Sequence, residues 1–161
     1  MKSIKKWSSH LPILINLINI TNGPVLELGA GLYSTPFLHW ACRDRYLESY
    51  ENDKNYFNII NEFSDENHKI YFVENWDNID IIKYWEIVFI DLSPATKRKD
   101  MAKKLAKLAK YIILHDTEKK HDNEYKYDEI YSLFKYRYDY TKTNPNTTVL
   151  SNYIDVSKLN F

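Results

Sequence analysis

Two of the chain's three glycines, Gly29 and Gly31, stand in one phrase, Val25-Leu26-Glu27-Leu28-Gly29-Ala30-Gly31. A short apolar run that ends in a paired glycine turn, just ahead of a helix signal, is how a parallel sheet opens a ligand-binding turn. Glycine lets the backbone turn tightly and approach a ligand where a side chain would collide. In so glycine-poor a chain, that placement selects a nucleotide-binding α/β domain. The remaining sequence must then alternate strands and helices.

The chain's 161 residues suffice for one core but not for a cofactor domain plus a separate substrate domain. Lys+Arg and Asp+Glu both number 22, so the basic excess expected of a nucleic-acid partner is missing. The single cysteine, Cys42, excludes an internal disulfide and a multi-cysteine metal site, and it fits a reducing compartment. Lys2, Lys5 and Lys6 ahead of the apolar stretch Leu11 to Ile20 imitate a secretion signal. However, Asn16 and Asn19 interrupt that stretch and no small-residue cleavage site follows. Ten residues cannot span a bilayer. The stretch reads as a helix on the sheet, in a cytoplasmic protein with no membrane partner.

A single domain over 1–161 is expected, with an N-terminal helical segment at 1–23, a cofactor-binding core at 24–118 and a C-terminal helix and hairpin at 119–161. Strands are predicted at Pro24–Leu28, short, apolar and bounded by turn residues, and at Tyr46–Glu51, Ile70–Val73, Glu86–Ile90 and Tyr111–Leu114. Ser34-Thr35-Pro36 predicts a helix through Trp40, with a hydroxyl cap and proline in its first turn. Asn52-Asp53 caps the next helix, whose apolar face would be Tyr56, Ile59, Ile60 and Phe63. A third helix sets Met101, Leu105, Leu108 and Ala109 against a mostly lysine face. Tyr127 to Phe134 reads as helical, and Tyr136–Tyr140 and Thr147–Asn152 as a hairpin around Asn144-Pro145-Asn146. The fold class is therefore a three-layer α/β sandwich with a mostly parallel, seven-stranded Rossmann-like sheet and an antiparallel last strand.

In such a sheet, ligands bind beyond the C-terminal strand ends, where strand order reverses. Polar residues collect at that rim: Glu27 and Gly29 at the first strand, Glu51 at the second, Asp91 after the fourth, and His115-Asp116 at the fifth, with Trp76-Asp77 shortly after the third. A hydride-transfer fingerprint would need a third glycine where Ser34 stands, which counts against NAD. Glu51 lies 22 positions after Gly29, a spacing that suits a ribose acid in either kind of site.

The phrase Glu27-Leu28-Gly29-Ala30-Gly31, followed by Ser34-Thr35, resembles the first motif of class I S-adenosylmethionine-dependent methyltransferases. Phe89-Ile90-Asp91 resembles that family's fourth-strand motif, and Ile113-Leu114-His115-Asp116-Thr117 the ending common among its small O-methyltransferases. The resemblance runs from Pro24 to Glu118. It implies S-adenosylmethionine as cofactor, held by Glu27, Gly29, Gly31, Ser34, Glu51, Asn52, Asp77 and Asp91, with Glu51 on the ribose hydroxyls and Trp76 over the adenine face.

A sulfonium methyl is already activated, so an enzyme mainly aligns the acceptor and removes its proton. The expected catalytic residues are His115, whose ordinary pKa lies near neutrality, with Asp91 or Asp116 to orient it. A metal-dependent branch of the family would place Mg²⁺ between strand-end carboxylates. That branch has an Asp-Asn pair where this chain has His115-Asp116, so Mg²⁺ is not favoured and no metal ligands are assigned. His39, His68 and His121 stand alone in sequence and read as surface or packing residues. The seven basic residues from Lys97 to Lys110 read as a solvated helix face. Asp91-Leu92-Ser93-Pro94 lacks the aromatic that would stack on a flipped base. The expected partner is a small-molecule acceptor, with methylation on a hydroxyl of a sugar or similar compound. The alternatives are a non-catalytic nucleotide-binding module and, third, an NAD-dependent oxidoreductase.

Overall fold

The computed structural model describes residues 6–159. Helix α1 (Leu11–Asn19) leads into β1 (Val25–Leu28), α2 (Ser34–Ala41), β2 (Leu47–Glu51), α3 (Lys54–Ile60) and β3 (His68–Phe72). Then come β4 (Trp85–Ile90), α4 (Thr96–Leu105), β5 (Ala109–His115), the single turn α5 (Asp122–Tyr125), β6 (Tyr136–Tyr140) and β7 (Thr147–Ser151). The seven strands form one sheet in the order β3-β2-β1-β4-β5-β7-β6. The first five run parallel, and β7 is antiparallel to both β5 and β6. Strand order reverses between β1 and β4, which opens the rim crevice there.

Parallel strands covered on both faces are apolar at consecutive positions, as most of β4 and β5 are, while β1 and β2 bury Glu27, Glu48, Ser49 and Glu51. Leu26, Leu28, Val88, Ile90, Ile112 and Leu114 face one layer, against Met101, Ala102 and Leu105 of α4. Val25, Ile87, Phe89 and Ile113 face the other, where Ile13, Leu14, Leu17 and Ile18 of α1 cover them. The N-terminal apolar stretch is thus a helix on the sheet, as its pattern predicts. No helix among the described residues is long and apolar enough to cross a membrane.

Four local expectations need correction. In α3, Asp53 does cap the helix, accepting from the N–H of Asn55 and Tyr56. Yet Tyr56 and Ile59 are exposed, and only Ile60 is buried, with Phe57 and Phe63 packed beside it. The helix lies near the sheet edge, so a stripe at spacing three suffices to cover Ile70. In α4 the helix stops at Leu105; Leu108 lies in the turn and Ala109 already starts β5. From Tyr127 to Phe134 the chain forms two 3₁₀ turns, Tyr127–Glu129 and Tyr131–Leu133, rather than an α-helix. Tyr127, Ile130 and Phe134 are still buried: Tyr127 and Ile130 point inward at spacing three across the first turn, and the extended backbone that ends the second turn brings in Phe134 while Leu133 stays exposed. Finally, no hydroxyl caps α2. Tyr33 holds the cap position without a side-chain bond, and Thr35 turns its hydroxyl back to the glycine turn.

Candidate functional site

A cavity of about 1000 Å³ opens at the C-terminal rim of the sheet. The β1–α2 turn and the end of β2 form one side, and the ends of β4 and β5 form another. Lys6, Trp7 and His10 close it from the N-terminal side, and Glu118, Lys120, His121 and Tyr125 from the segment after β5.

The turn is built by its neighbours. Gly29 has a φ of 91°, and a Cβ there would lie 2.4 Å from the backbone nitrogen of Leu92, so β1 and β4 can separate only around a glycine. Gly29 and Ala30 both donate their N–H groups to the carbonyl of Tyr50, at 2.9 and 3.0 Å. Gly31 differs. A Cβ there would meet nothing within 4 Å, so the turn leaves open space on the cavity side.

Of the sequence-predicted residues, Gly29, Gly31, Ser34, Glu51, Asp91, His115 and Asp116 line the cavity together. Glu51 accepts the N–H groups of Asn52 at 3.0 Å and Asp53 at 2.6 Å, so its own turn aims the carboxylate. Burial raises its pKa against the pull of those bonds. Glu27 sits fully buried behind the turn and does not line the cavity. Its Oε2 accepts from Thr35 at 2.9 Å and Ser49 at 2.6 Å, while Oε1 has no partner. Burial pushes this carboxyl up to about 7 despite the hydroxyls around it. Asn52 and Asp77 also lie outside the lining. Asp77 is exposed and pairs with Lys97 at 2.7 Å. Trp76 is in the core, donating its indole N–H to the carbonyl of Ser93 at 2.7 Å.

At the opposite wall His115 holds both ring nitrogens in bonds. Nδ1 lies 3.1 Å from Asp91 Oδ2, and Nε2 lies 2.8 Å from the Ser9 hydroxyl. Burial disfavours the charged imidazole, but Asp91 and Asp116 outweigh it and raise the pKa above its ordinary value. Burial likewise opposes an ionised Asp91, yet His115 and Arg98 hold its carboxyl below the usual range.

Arg98 carries this wall. It is buried, and its five N–H donors reach the carbonyls of Leu92 (2.8 Å), His115 (3.3 Å) and Asp91 (3.1 Å) and the carboxylates of Asp91 (2.8 Å) and Asp116 (3.1 Å). Tyr125 and Tyr127 add hydroxyl bonds to Asp116 and to the His115 carbonyl. Those bonds pin Asp116 in the left-handed region, at a φ of 56°, which is uncommon for a residue with a side chain.

A Mg²⁺ held between Asp91 and Asp116 does not fit, because the Arg98 guanidinium already bridges the two carboxylates. The residues whose ligand atoms do converge, within 4.8 Å, are His10, Asp91 and His115. Two imidazoles are a poor match for a hard cation that demands oxygen.

Among the described residues, the buried polar atoms without a partner belong to two residues of the cavity lining, His10 and Glu118, and to four outside it. They include both ring nitrogens of His10, both carboxylate oxygens of Glu118, Oε1 of Glu27 and Oδ1 of Asn52. Burial, reinforced by His115, lowers the His10 pKa to about 3, so the ring is neutral, with one donor and one acceptor to offer. Buried polar groups normally find partners, and the His10 and Glu118 atoms would gain them from a ligand if those side chains turned toward the cavity.

Sequence reading missed Arg98 and His10. Arg98 was legible: with Met101, Ala102 and Leu105 it completes the i, i+3, i+4, i+7 inner stripe of α4, inside what reads as a solvated basic run. His10 has no local signal, since only the fold brings it against Phe89 and His115. His39 and His68, which stand alone in sequence, pair at 3.3 Å, and His121 lines the cavity.

No protein-family description and no curated protein matches this chain in sequence. Solved structures do match in shape. Human methyltransferase-like protein 13, in complex with S-adenosylhomocysteine, superposes over 95% of this chain and 85% of its own, with a TM-score of 0.69 and 13% identity. The O-methyltransferase TomG from Streptomyces achromogenes, in complex with S-adenosylmethionine, covers 92% and 80%, with a TM-score of 0.66 and 14% identity. Coclaurine N-methyltransferase, bound to N-methylheliamine and S-adenosylhomocysteine, covers 68% of this chain and 37% of its own, with a TM-score of 0.52 and 15% identity. At these identities the likeness is one of fold. The chain has the fold of class I S-adenosylmethionine-dependent methyltransferases, whose members modify both oxygen and nitrogen.

Proposed function

We propose that this protein is an S-adenosylmethionine-dependent methyltransferase acting on a hydroxyl of a sugar or other polyhydroxylated small molecule. The observation that carries the reading is one cavity that sets the open side of Gly31 and the Glu51 carboxylate across from the His115–Asp91 pair. When bound, the cofactor supplies an electrophilic methyl group. The protein's own residues do the rest. Glu51 offers acceptors to two ribose hydroxyls, Gly31 leaves room for the cofactor chain, and Asp91 orients His115 through Nδ1–H. That tautomer makes Nε2 the accepting nitrogen; it holds the Ser9 hydroxyl at 2.8 Å, and it receives the acceptor's proton once the acceptor hydroxyl takes the place of Ser9.

The unpartnered atoms favour a polyol. Turned toward the cavity, Glu118 would present two acceptors, and His10 one acceptor and one donor. A ligand rich in hydroxyl donors answers that set, whereas a simple phenol brings one donor. The buried, unpaired Cys42 suits the cytoplasmic setting proposed here.

Glu51→Ala tests the cofactor half. The change removes a charged acceptor at the ribose position and should weaken S-adenosylmethionine binding by about 2 kcal/mol, the range for hydrogen bonds to a charged group. Calorimetric titration of both proteins measures it. Unchanged affinity would remove Glu51 from the site.

A further inference from the structure

A chain of hydrogen bonds leaves the glycine turn on the side away from the cavity and ends near solvent. The Gly31 N–H donates to the Thr35 hydroxyl at 2.9 Å, and Thr35 donates to Glu27 Oε2. The Ser49 hydroxyl meets the same oxygen at 2.6 Å and His68 Nε2 at 2.8 Å. His68 Nδ1 lies 3.3 Å from His39 Nδ1, which in turn stands 4.0 Å from the Asp65 carboxylate. The His39 side chain is 11% exposed and that of Asp65 39% exposed. The Gly31–Thr35–Glu27 links have a fixed direction, and from Glu27 through Ser49 and His68 to His39 each link has one proton to place, so that stretch has only two consistent directions.

From this arrangement we infer that His68, acting through Ser49, is a positioning residue for the charge of Glu27, and that the turn takes up its cationic sulfonium cofactor with release of one proton. The inference rests on the cofactor reading above. Below neutral pH the empty site holds Glu27 protonated: its carboxyl O–H donates to Ser49, Ser49 donates to His68 Nε2, and His68 Nδ1–H donates to His39. When a positive sulfonium arrives across the turn, the ionised carboxylate becomes favourable. The Glu27 proton passes to Ser49, the Ser49 proton to His68 Nε2, and the His68 Nδ1 proton to His39, which gives its Nε2 proton to solvent. Every donor now points at Glu27, and one proton has left the protein.

The surroundings support a carboxyl that can go either way. Burial places Glu27 near neutrality rather than in the ordinary carboxylate range, and burial together with His39 lowers His68 to about 4, which keeps its ring neutral. The groups that face Glu27 are Ser34 and Thr35 of α2 and Ser49 and Glu51 of β2, with Cys42 nearby, whose thiol burial keeps protonated. Those facing His68 are His39 of α2, Asp65 of the turn before β3, and Ser49. No cation among them neutralises Glu27, so a ligand's positive charge has an unopposed effect there.

The test compares S-adenosylmethionine with S-adenosylhomocysteine, which lacks the sulfonium charge, by calorimetry from pH 5.5 to 8.5 in buffers of different ionisation enthalpy. The expected result is proton release on S-adenosylmethionine binding, and an affinity that falls by up to about tenfold per pH unit as pH drops below neutrality. S-adenosylhomocysteine should show a shallower profile. Glu27→Gln should flatten the S-adenosylmethionine profile. His68→Leu, which removes the donor to Ser49, should move its midpoint upward by about half a pH unit or more, while His68→Gln, which can still donate, should restore it. Ser49→Ala tests the same link with a smaller change in volume, should His68→Leu fail to fold. Glu51 is retained in all of these variants, so its own titration cancels in the comparison. A flat wild-type profile, or an unmoved midpoint in both His68→Leu and Ser49→Ala, overturns the inference. If neither ligand binds at any pH, the cofactor reading itself fails, and this inference with it.

Discussion

Replacing His115 by alanine is expected to reduce turnover roughly 10²- to 10⁴-fold while affinity for S-adenosylmethionine barely moves. The separation follows from where His115 stands. It lines the wall formed by the ends of β4 and β5, and its contacts are Asp91 and Ser9 rather than the glycine turn. Losing it removes the group that takes the acceptor's proton and leaves the cofactor half intact. The wild-type rate should rise with pH and then level off. His115 must be neutral to accept a proton, and its pKa in the folded protein lies above the ordinary 6.5 because Asp91 and Asp116 favour the charged ring. The rise therefore belongs on the alkaline side of 6.5. An active His115→Ala variant with an unchanged pH profile would leave alignment of the two substrates to account for the rate.

Arg98→Leu should destabilise the fold by about 3–5 kcal/mol, the penalty for removing one partner of a buried charge set. The guanidinium answers two carboxylates and three carbonyls at once. Leucine fills part of its volume but leaves Asp91 and Asp116 close together without a shared cation, and it releases the strand-end carbonyls of β4 and β5. Arg98→Lys should recover only part of the loss, because one ammonium cannot match five donors in a fixed plane. Urea unfolding, compared at equal m-value, measures both variants. A loss below about 1 kcal/mol for Arg98→Leu would mean that the carboxylates find other partners or solvent.

What was legible in the sequence follows from range. Strands β1, β4 and β5 were readable to within two residues, because a strand covered on both faces is largely apolar and stops where turn residues begin; β2, with Glu48, Ser49 and Glu51 inside it, was readable from its place between two helix signals. The hairpin was readable from the turn-rich Asn144-Pro145-Asn146 between an alternating β6 and a buried β7. The 3₁₀ turns after Tyr127 were not, since the inward residues Tyr127, Ile130 and Phe134 keep the three-and-four spacing of an α-helix. At the site, the residues that line the cavity on strand ends, from Gly29 to His115 and Asp116, were visible because the rim rule needs only strand order. His10 and Ser9 come from before the sheet, and their approach to His115 over more than a hundred residues leaves no local trace. Trp76 and Asp77 follow a strand end as the rule asks, yet the core takes the indole and Lys97 takes the carboxylate.

The central claim, that the turn at Gly29–Gly31 and Glu51 hold S-adenosylmethionine, is tested most directly by calorimetric titration of the folded protein. Titrations with S-adenosylmethionine, S-adenosylhomocysteine and NAD should be run side by side. The predicted result is saturable one-to-one binding of the first two and none of NAD. A folded protein that binds neither sulfur nucleoside, or that prefers NAD, would contradict the account.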